Sequence, residues 1–208
     1  MSLVKVLTDP SAGLQLARLR DQSTPPDRFR AATRSLGAML AMEAVRDIPV
    51  ETGEVIGPLG PAPARRPAHP IVAVPVLRAG LGLLTGVHDV IPSANVGMIG
   101  LQRDEETLQP ERYYFKVPDL TDAWVLVLEP MLATGGSASA AVDALHVEGA
   151  AQVTVLGVVA TQQAIDLIHT ANPGTRIVVA AIDQGLNDVG YIVPGLGDFG
   201  DRLFGTLG

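Results

Sequence analysis

The chain contains no cysteine. That removes a disulfide framework and a thiol nucleophile from consideration and fits a protein of the reducing cytoplasm. Long hydrophobic runs are missing as well. Apolar stretches are strand-length and are broken by Gly, Pro or charge before the ~18 residues a membrane span requires. The opening MSLVKVLTDP has no extended apolar region of the signal-peptide kind. There is no excess of positive charge: 15 Lys and Arg stand against 22 Asp and Glu, a formal net charge of −7. Broad, sequence-independent nucleic-acid binding needs a basic face and is excluded as the main activity. His69, His88, His146 and His169 fall at no ligand or triad spacing and are given no catalytic role.

What is present is a chain of 208 residues, 47% hydrophobic and 18% charged, enough for one soluble domain with a substantial core. Asp9-Pro10 reads as an N-cap followed by proline at the first helical position, leading into Leu14–Arg20. Thr24-Pro25-Pro26 opens a longer helix, with Phe29, Ala32, Leu36, Leu40 and Ala44 on one stripe and Arg28, Arg30 and Arg34 off it. From about Ile48 to Pro70 the chain is rich in Pro and Gly and is expected to form short extended pieces and a loop. A regular alternation follows: strand Ile71–Leu77, helix Gly80–Val90, strand Ala94–Leu101, strand Trp124–Leu128 with its helix, strand Val153–Ala160, helix Gln162–His169 and strand Arg176–Ile182. Such an alternation implies an α/β fold around a parallel sheet. The polar stretch between Gln102 and Asp122 suits a protruding arm or hairpin.

Three segments carry chemistry. In VLVLEPMLATGGSASAAVDAL, Val125–Leu145, a buried strand runs into Thr134-Gly135-Gly136-Ser137 and then an alanine-rich helix. Helix-start amides lack intrahelical partners and sit at the positive end of the dipole, so they bind phosphate. A TGGS turn by itself is often only a tight turn; the strand before it, the helix after it and the upstream acid Glu129 make it a candidate phosphate site beside that reading. No lysine follows the glycines, so it is not a Walker loop. Glu129 stands at the strand's carboxyl end, where it can accept hydrogen bonds from sugar hydroxyls. In VPVLRAGLG, Val74–Gly82, another strand meets glycines, with Arg78 at the turn. Arg103 follows the next strand in the same topological position, and planar guanidinium forks suit phosphate oxygens. Two anion sites at neighbouring strand ends point to a ligand with two separate phosphate groups. The third segment, IDQGLNDVGYIVPGLGDFGDRLFGT, Ile182–Thr206, is too rich in glycine for a regular element. Tyr191, Ile192, Val193, Leu196, Phe199, Leu203 and Phe204 make it apolar enough to pack, as an ordered loop whose backbone can hydrogen-bond a flat ligand.

Together, VPVLRAGLG, RDEETLQP, EPMLATGGS and the Ile182–Thr206 stretch resemble the uracil phosphoribosyltransferase family. The likeness is close from about Val74 to Thr206 and looser at LARLRDQSTPPDRFR, and PGLGD is its most specific part. It implies a single domain over residues 1–208 with the parallel-sheet type I phosphoribosyltransferase fold. Within it come N-terminal helices (1–47), core sheet and helices (71–182), a protruding arm and a C-terminal glycine-rich base loop (183–206).

The implied reaction transfers the phosphoribosyl group of 5-phosphoribosyl 1-diphosphate (PRPP) to uracil N1, giving UMP and diphosphate. By the same resemblance Glu129, Pro130, Met131, Leu132, Ala133, Thr134, Gly135, Gly136 and Ser137 hold the ribose and 5′-phosphate. Arg78 and Arg103 hold the diphosphate. Ile192, Gly197, Asp198 and Phe199 meet uracil through the main chain, and Asp198 also reaches PRPP. Arg78, Arg103, Glu129 and Asp198 are the implied catalytic groups. Mg²⁺ is expected to arrive on PRPP, held by ligand oxygens and water, with no protein metal site. Family members form dimers or tetramers, and some respond to GTP. Three positions depart from the family pattern: Glu129 where aspartate is usual, Phe199 where alanine is usual, and Gln102 where an aromatic precedes Arg103. Two alternatives stand beside this reading: a phosphoribosyltransferase for another base, and a non-catalytic sensor of PRPP or UMP.

Overall fold

Residues 3–103 and 110–206 are described in the computed structural model of the chain. In order they form β1 (Val4–Val6), α1 (Pro10–Arg20), α2 (Pro26–Ala44), β2 (Val50–Gly57), β3 (Gly60–Pro67), β4 (Ile71–Leu77) and α3 (Leu81–Val90). Next come β5 (Asn95–Val96), β6 (Met98–Arg103), β7 (Pro110–Lys116), β8 (Trp124–Leu128), β9 (Met131–Leu132) and α4 (Gly136–Val147). The remainder is β10 (Gln152–Thr161), α5 (Gln162–Ala171), β11 (Arg176–Asp183), β12 (Gly185–Leu186), β13 (Ile192–Val193) and α6 (Phe199–Phe204).

The main sheet runs β1-β11-β10-β8-β4-β6-β7, with β5 beside β4 and β9 beside β10. Its pairings are parallel except for β6 with β7. A parallel sheet is buried on both faces, and the period-two alternation of its strands divides the core in two. Val72, Val74, Val125, Val127, Val155, Ile177 and Val179 pack with Val142 and Leu145 of α4 and with Ile165 and Ile168 of α5. Ile71, Ala73, Leu126, Leu128, Leu156, Val158 and Val178 turn the other way, onto Leu19 of α1, Phe29, Leu36 and Leu40 of α2, and Leu83 and Val87 of α3. The α2 stripe is buried at Phe29, Ala32, Leu36, Leu40 and Ala44, while Arg28, Arg30 and Arg34 are exposed. Asp9 caps α1 by accepting the Ser11 N–H at 2.8 Å.

The structure corrects three expectations. The N-terminal segment is not helices alone, because β1 adds an edge strand with Val4 opposite Ile177. The Pro- and Gly-rich region is a regular hairpin, paired from Val50↔Pro67 to Gly57↔Gly60. Pro61, Pro63 and Pro67 share one parity along β3, so their missing N–H groups fall on the side away from β2, whereas Ala68 N–H bonds Pro49 C=O at 2.9 Å. The strand expected over Ala94–Leu101 is divided into β5 and β6 at Gly97 and runs on to Arg103. After Gln102, where an arm or hairpin was expected, β7 folds back antiparallel on β6 as a hairpin; residues 104–109 of that stretch lie outside the described residues. Two antiparallel pairs, β2–β3 and β12–β13, stand apart from the main sheet among the described residues. No described helix is long and apolar enough to cross a membrane.

Candidate active site

Parallel strands bring their carboxyl ends to one edge of the sheet, the edge at which open α/β folds bind ligands. Here that edge carries Arg78 after β4, Arg103 at the end of β6, Glu129 after β8, Thr161 at the end of β10 and Asp183 at the end of β11. Pro75 lies opposite Leu128, so the turns bearing Arg78 and Glu129 leave neighbouring strands.

Beyond β8 the chain rises along β10. The Glu129 N–H donates to Leu156 C=O at 3.0 Å, and Val158 N–H to Pro130 C=O at 2.8 Å. Gly135, with φ +86°, then turns the chain into α4; a Cβ there would lie 2.7 Å from the Ala164 carbonyl, so both conformation and space demand glycine. Thr161 props the same turn. Its hydroxyl donates to Ala133 C=O at 2.7 Å and accepts from Ala164 N–H at 3.0 Å, capping α5. The result is a cavity of about 70 Å³ lined by Glu129, Met131, Leu132, Ala133, Thr134, Gly135, Ser137 and Ala138. The amides of Ser137 and Ala138 fall in the first turn of α4, where the helix offers no acceptor, so an anion fits there. Glu129 closes one side. Its Oε2 is buried without a hydrogen-bond partner, and burial pushes the carboxyl up to about 8.

A second cavity, of about 240 Å³, is lined by Ala79, Met131, Ala133, Gly190, Tyr191, Ile192, Gly197, Asp198, Phe199 and Gly200. Met131 and Ala133 line both cavities, so an anionic group and a flat ligand can belong to one molecule. Asn187 N–H donates to Tyr191 C=O at 2.9 Å, which makes Leu186 and Ile192 a non-hydrogen-bonded pair in the β12–β13 ladder. The N–H and C=O of Ile192 therefore point away from β12. Asp198 caps α6, its Oδ1 accepting Asp201 N–H at 2.8 Å, which leaves Oδ2 as the oxygen the cap does not use. Ile192, Leu196, Phe199 and Leu203 of this glycine-rich segment are buried, whereas Tyr191, Val193 and Phe204 are exposed. Larger clefts exist, one of about 430 Å³ along α1 and α2 and one of about 310 Å³ between α2, the start of α3 and α6, but neither reaches Glu129 or the glycine turn.

Arg78 lies against α6. Its Nη2 is 3.7 Å from Asp201 Oδ1, and its guanidinium stands 5.6 Å from the centre of the Phe204 ring. Arg103 ends β6 on the same edge; its side chain lies outside the described residues. Gln102 is exposed and donates to Glu111 at 3.0 Å.

The glycine-rich segment is tied down by residues the sequence reading did not single out. The Arg20 fork meets the Asp183 carboxylate at 2.7 and 2.9 Å. Arg202 donates to Leu19 C=O, to Leu196 C=O at 2.8 Å and to Asp21 C=O at 2.6 Å. Burial pushes the Asp183 carboxyl up, but the Arg20 guanidinium and the Gly195 N–H outweigh it and leave the group below its usual value. The one local signal for these groups was a lone Asp at the end of the last core strand.

A sequence profile described as uracil phosphoribosyltransferase matches residues 6–206. The chain belongs to the uracil phosphoribosyltransferase family. Named uracil phosphoribosyltransferases from Roseiflexus sp. and Acholeplasma laidlawii are 46% and 44% identical to it, each aligned over 99% of this chain and 100% of the relative. The solved AQ2163 protein from Aquifex aeolicus superposes with a TM-score of 0.92 at 37% identity, covering 97% of both chains. A hypoxanthine phosphoribosyltransferase from Trypanosoma cruzi superposes at 0.52 with 13% identity, over 76% of this chain and 75% of its own. That second likeness is one of fold, and it sets this uracil phosphoribosyltransferase family member within the type I phosphoribosyltransferase architecture.

Proposed function

We propose that this chain transfers the phosphoribosyl group of PRPP to N1 of uracil, releasing diphosphate and giving UMP, a pyrimidine-salvage reaction. The observation that carries the reading is the pair of joined cavities. One is phosphate-sized and lined by helix-start amides; the other is lined by Ile192 and the Gly197–Phe199 turn.

In this reading the amides of residues 135–138 hold the 5′-phosphate, and Glu129 accepts hydrogen bonds from the ribose hydroxyls. Arg78 and Arg103 grip the diphosphate. Ile192 offers uracil one donor and one acceptor, and the Gly197–Phe199 backbone supplies the rest. Breaking the bond to diphosphate develops positive charge on the ribose ring and negative charge on the leaving group. The arginines are signed for the latter, and the carboxylates of Glu129 and Asp198 for the former. No covalent nucleophile is required, because the bond from N1 to the ribose forms as the bond to diphosphate breaks once the two substrates are aligned, and the N1 proton leaves to the departing diphosphate or to water.

Mg²⁺ supplies further neutralisation of the departing diphosphate when it is bound. No group of three or more His, Asp or Glu side chains able to cage an ion occurs among the described residues. In this reading the ion would be carried in on PRPP oxygens and water. The β2–β3 hairpin leaves Ile56 and Leu59 exposed at its tip, an apolar end that supports self-association as a homodimer or homotetramer. A cytoplasmic location fits the absence of cysteine.

The test is chromatography of the products formed by the purified full chain from uracil, PRPP and Mg²⁺, with and without GTP. UMP and diphosphate are expected in equal amounts. Turnover with another base alone, or UMP binding without turnover, would overturn the proposal; the GTP arm reads whether an effector acts.

A further inference from the structure

The Arg20–Asp183 pair joins α1 to the end of β11, two segments 163 residues apart, and it does more than connect them. Asp183 Oδ2 also accepts the N–H of Gly195 at 2.9 Å. Arg20 Nη1 donates to the carbonyl of the same Gly195 at 3.1 Å. Both backbone groups of one glycine are thus held by the two halves of one ion pair. The Asp183 side chain is only 6% exposed and that of Arg20 27%, so the carboxylate is shielded from water and the guanidinium partly so. Its forked geometry fixes direction as well as distance.

Gly195 touches the base cavity through one neighbour. It has φ +58° and packs so closely on the Ile192 carbonyl that a Cβ at position 195 would collide with it. Ile192 lines the cavity, and its outward N–H and C=O follow from its place in the β12–β13 ladder. Arg202 holds the next residue, Leu196, by its carbonyl. Orientation therefore passes from the ion pair to Gly195 and from Gly195 to the carbonyl of Ile192.

We propose that Arg20 and Asp183 are positioning residues for base recognition, which aim the Ile192 main chain at the pyrimidine edge without touching substrate. This rests on the assignment of the Ile192–Phe199 backbone to uracil and deepens it. A backbone reader discriminates only as well as it is held, since a tilted donor or acceptor loses the angle a hydrogen bond needs. A merely structural ion pair would weaken the whole molecule evenly. A positioning pair should act on the base and spare the phosphate cradle, which is built from α4, β10 and α5.

The experiment measures steady-state kinetics of Asp183→Asn and Arg20→Lys with uracil, cytosine and PRPP. Asn keeps the shape of Asp but turns an N–H₂ toward Arg20 or Gly195. Lys keeps the charge of Arg but loses the fork. With Asp183→Asn, KM for uracil is expected to rise about tenfold or more, and the preference for uracil over cytosine to fall about fivefold or more, from misaligned hydrogen bonds. KM for PRPP should stay within about twofold, because uniform loosening is absent. Arg20→Lys should fall between this variant and wild type, and it carries the same test should the asparagine variant fail to fold. A parallel rise in KM for both substrates, or unchanged base preference, would overturn the inference. Amide exchange in the wild type separates this from failure of the site assignment. Uracil with diphosphate should protect amides within residues 192–199. Absence of that protection removes the base site and the inference with it, whereas protection with unchanged variant kinetics removes the inference alone.

Discussion

Phe199 meets Phe29 edge to face, with ring centroids 5.1 Å apart and planes inclined at 68°. The aromatic side chain at a position where the family usually has alanine is therefore spent on the core between α6 and α2. Phe199 is 2% exposed, so its ring is closed into the core. Phe199→Ala should lose ~3–5 kcal/mol of stability, the usual cost of emptying a buried phenylalanine site. For a chain of this length that is a drop of roughly 10 °C in Tm. Thermal unfolding followed by circular dichroism tests it, and an unchanged Tm would place the ring outside the core.

Base choice is the second expectation. Cytosine reverses the pattern of uracil, with an acceptor at N3 and a donor at C4, so two backbone groups of the Ile192–Phe199 segment would face mismatched partners. At ~1–3 kcal/mol for each unpaired group, uracil should be preferred by about a hundredfold or more in kcat/KM. Comparable values for the two bases would sink recognition through the main chain.

Glu129 gives a pH dependence whose sign can be worked out. Burial raises its folded-state pKa to about 8 from the usual 4.5. Between those values the folded chain keeps a proton that the unfolded chain has lost. The stability this group contributes is therefore full below the unfolded pKa, declines as pH rises and levels off above about 8. Glu129→Gln, which has no such proton, should show a flatter Tm profile from about pH 5 to about pH 9. Ribose hydroxyls stabilise the carboxylate form, so wild-type affinity for PRPP should improve with pH over the same range relative to the glutamine variant. Parallel profiles for the two proteins would mean that Glu129 ionises as an ordinary carboxylate.

Arg78 separates activity from stability. Its side chain is 59% exposed and its contact with Asp201 is 3.7 Å long, a surface ion pair of the kind worth ~0–1 kcal/mol. Arg78→Ala should shift Tm by no more than a few degrees yet lower kcat/KM for PRPP by roughly 10²-fold. Lysine should restore part of the loss by charge without the fork. If alanine altered only KM for uracil, the residue would belong to the base end of the site.

Local pattern carried much of the fold. β4 and β8 occupy Ile71–Leu77 and Trp124–Leu128, the bounds read from the sequence, because each is an unbroken apolar run closed by a charged residue. The α2 stripe was legible for the same reason. β1 was not: three residues with a lysine in the middle make too short a pattern, and the strand exists only because β11 offers an edge. The proline-rich region reads as short extended pieces and a loop, and their pairing into one regular hairpin stayed hidden because composition outweighed parity. At the candidate site, the glycine turn and Glu129 announced themselves through strand–turn–helix context. Thr161, Arg20, Asp183 and Arg202 did not, since their partners are distant in sequence and nothing local marks a side chain that holds a remote carbonyl. The exposed face of Arg78 and the core-facing ring of Phe199 likewise depend on how α6 folds back, which periodicity in so short a helix does not specify.

The Arg202 anchor sets an order of assembly. Its guanidinium bonds backbone carbonyls of Leu19 and Asp21, up to 183 residues earlier in the chain. On a ribosome, the strands and helices around residues 124–171 can meet while residues 195–204 are still unmade. A nascent chain thus holds the parts of the phosphate cradle before it has a base pocket. In the proposed reading, the arrival of α6 against the end of α1 is the step that adds a base site to the sugar-phosphate site.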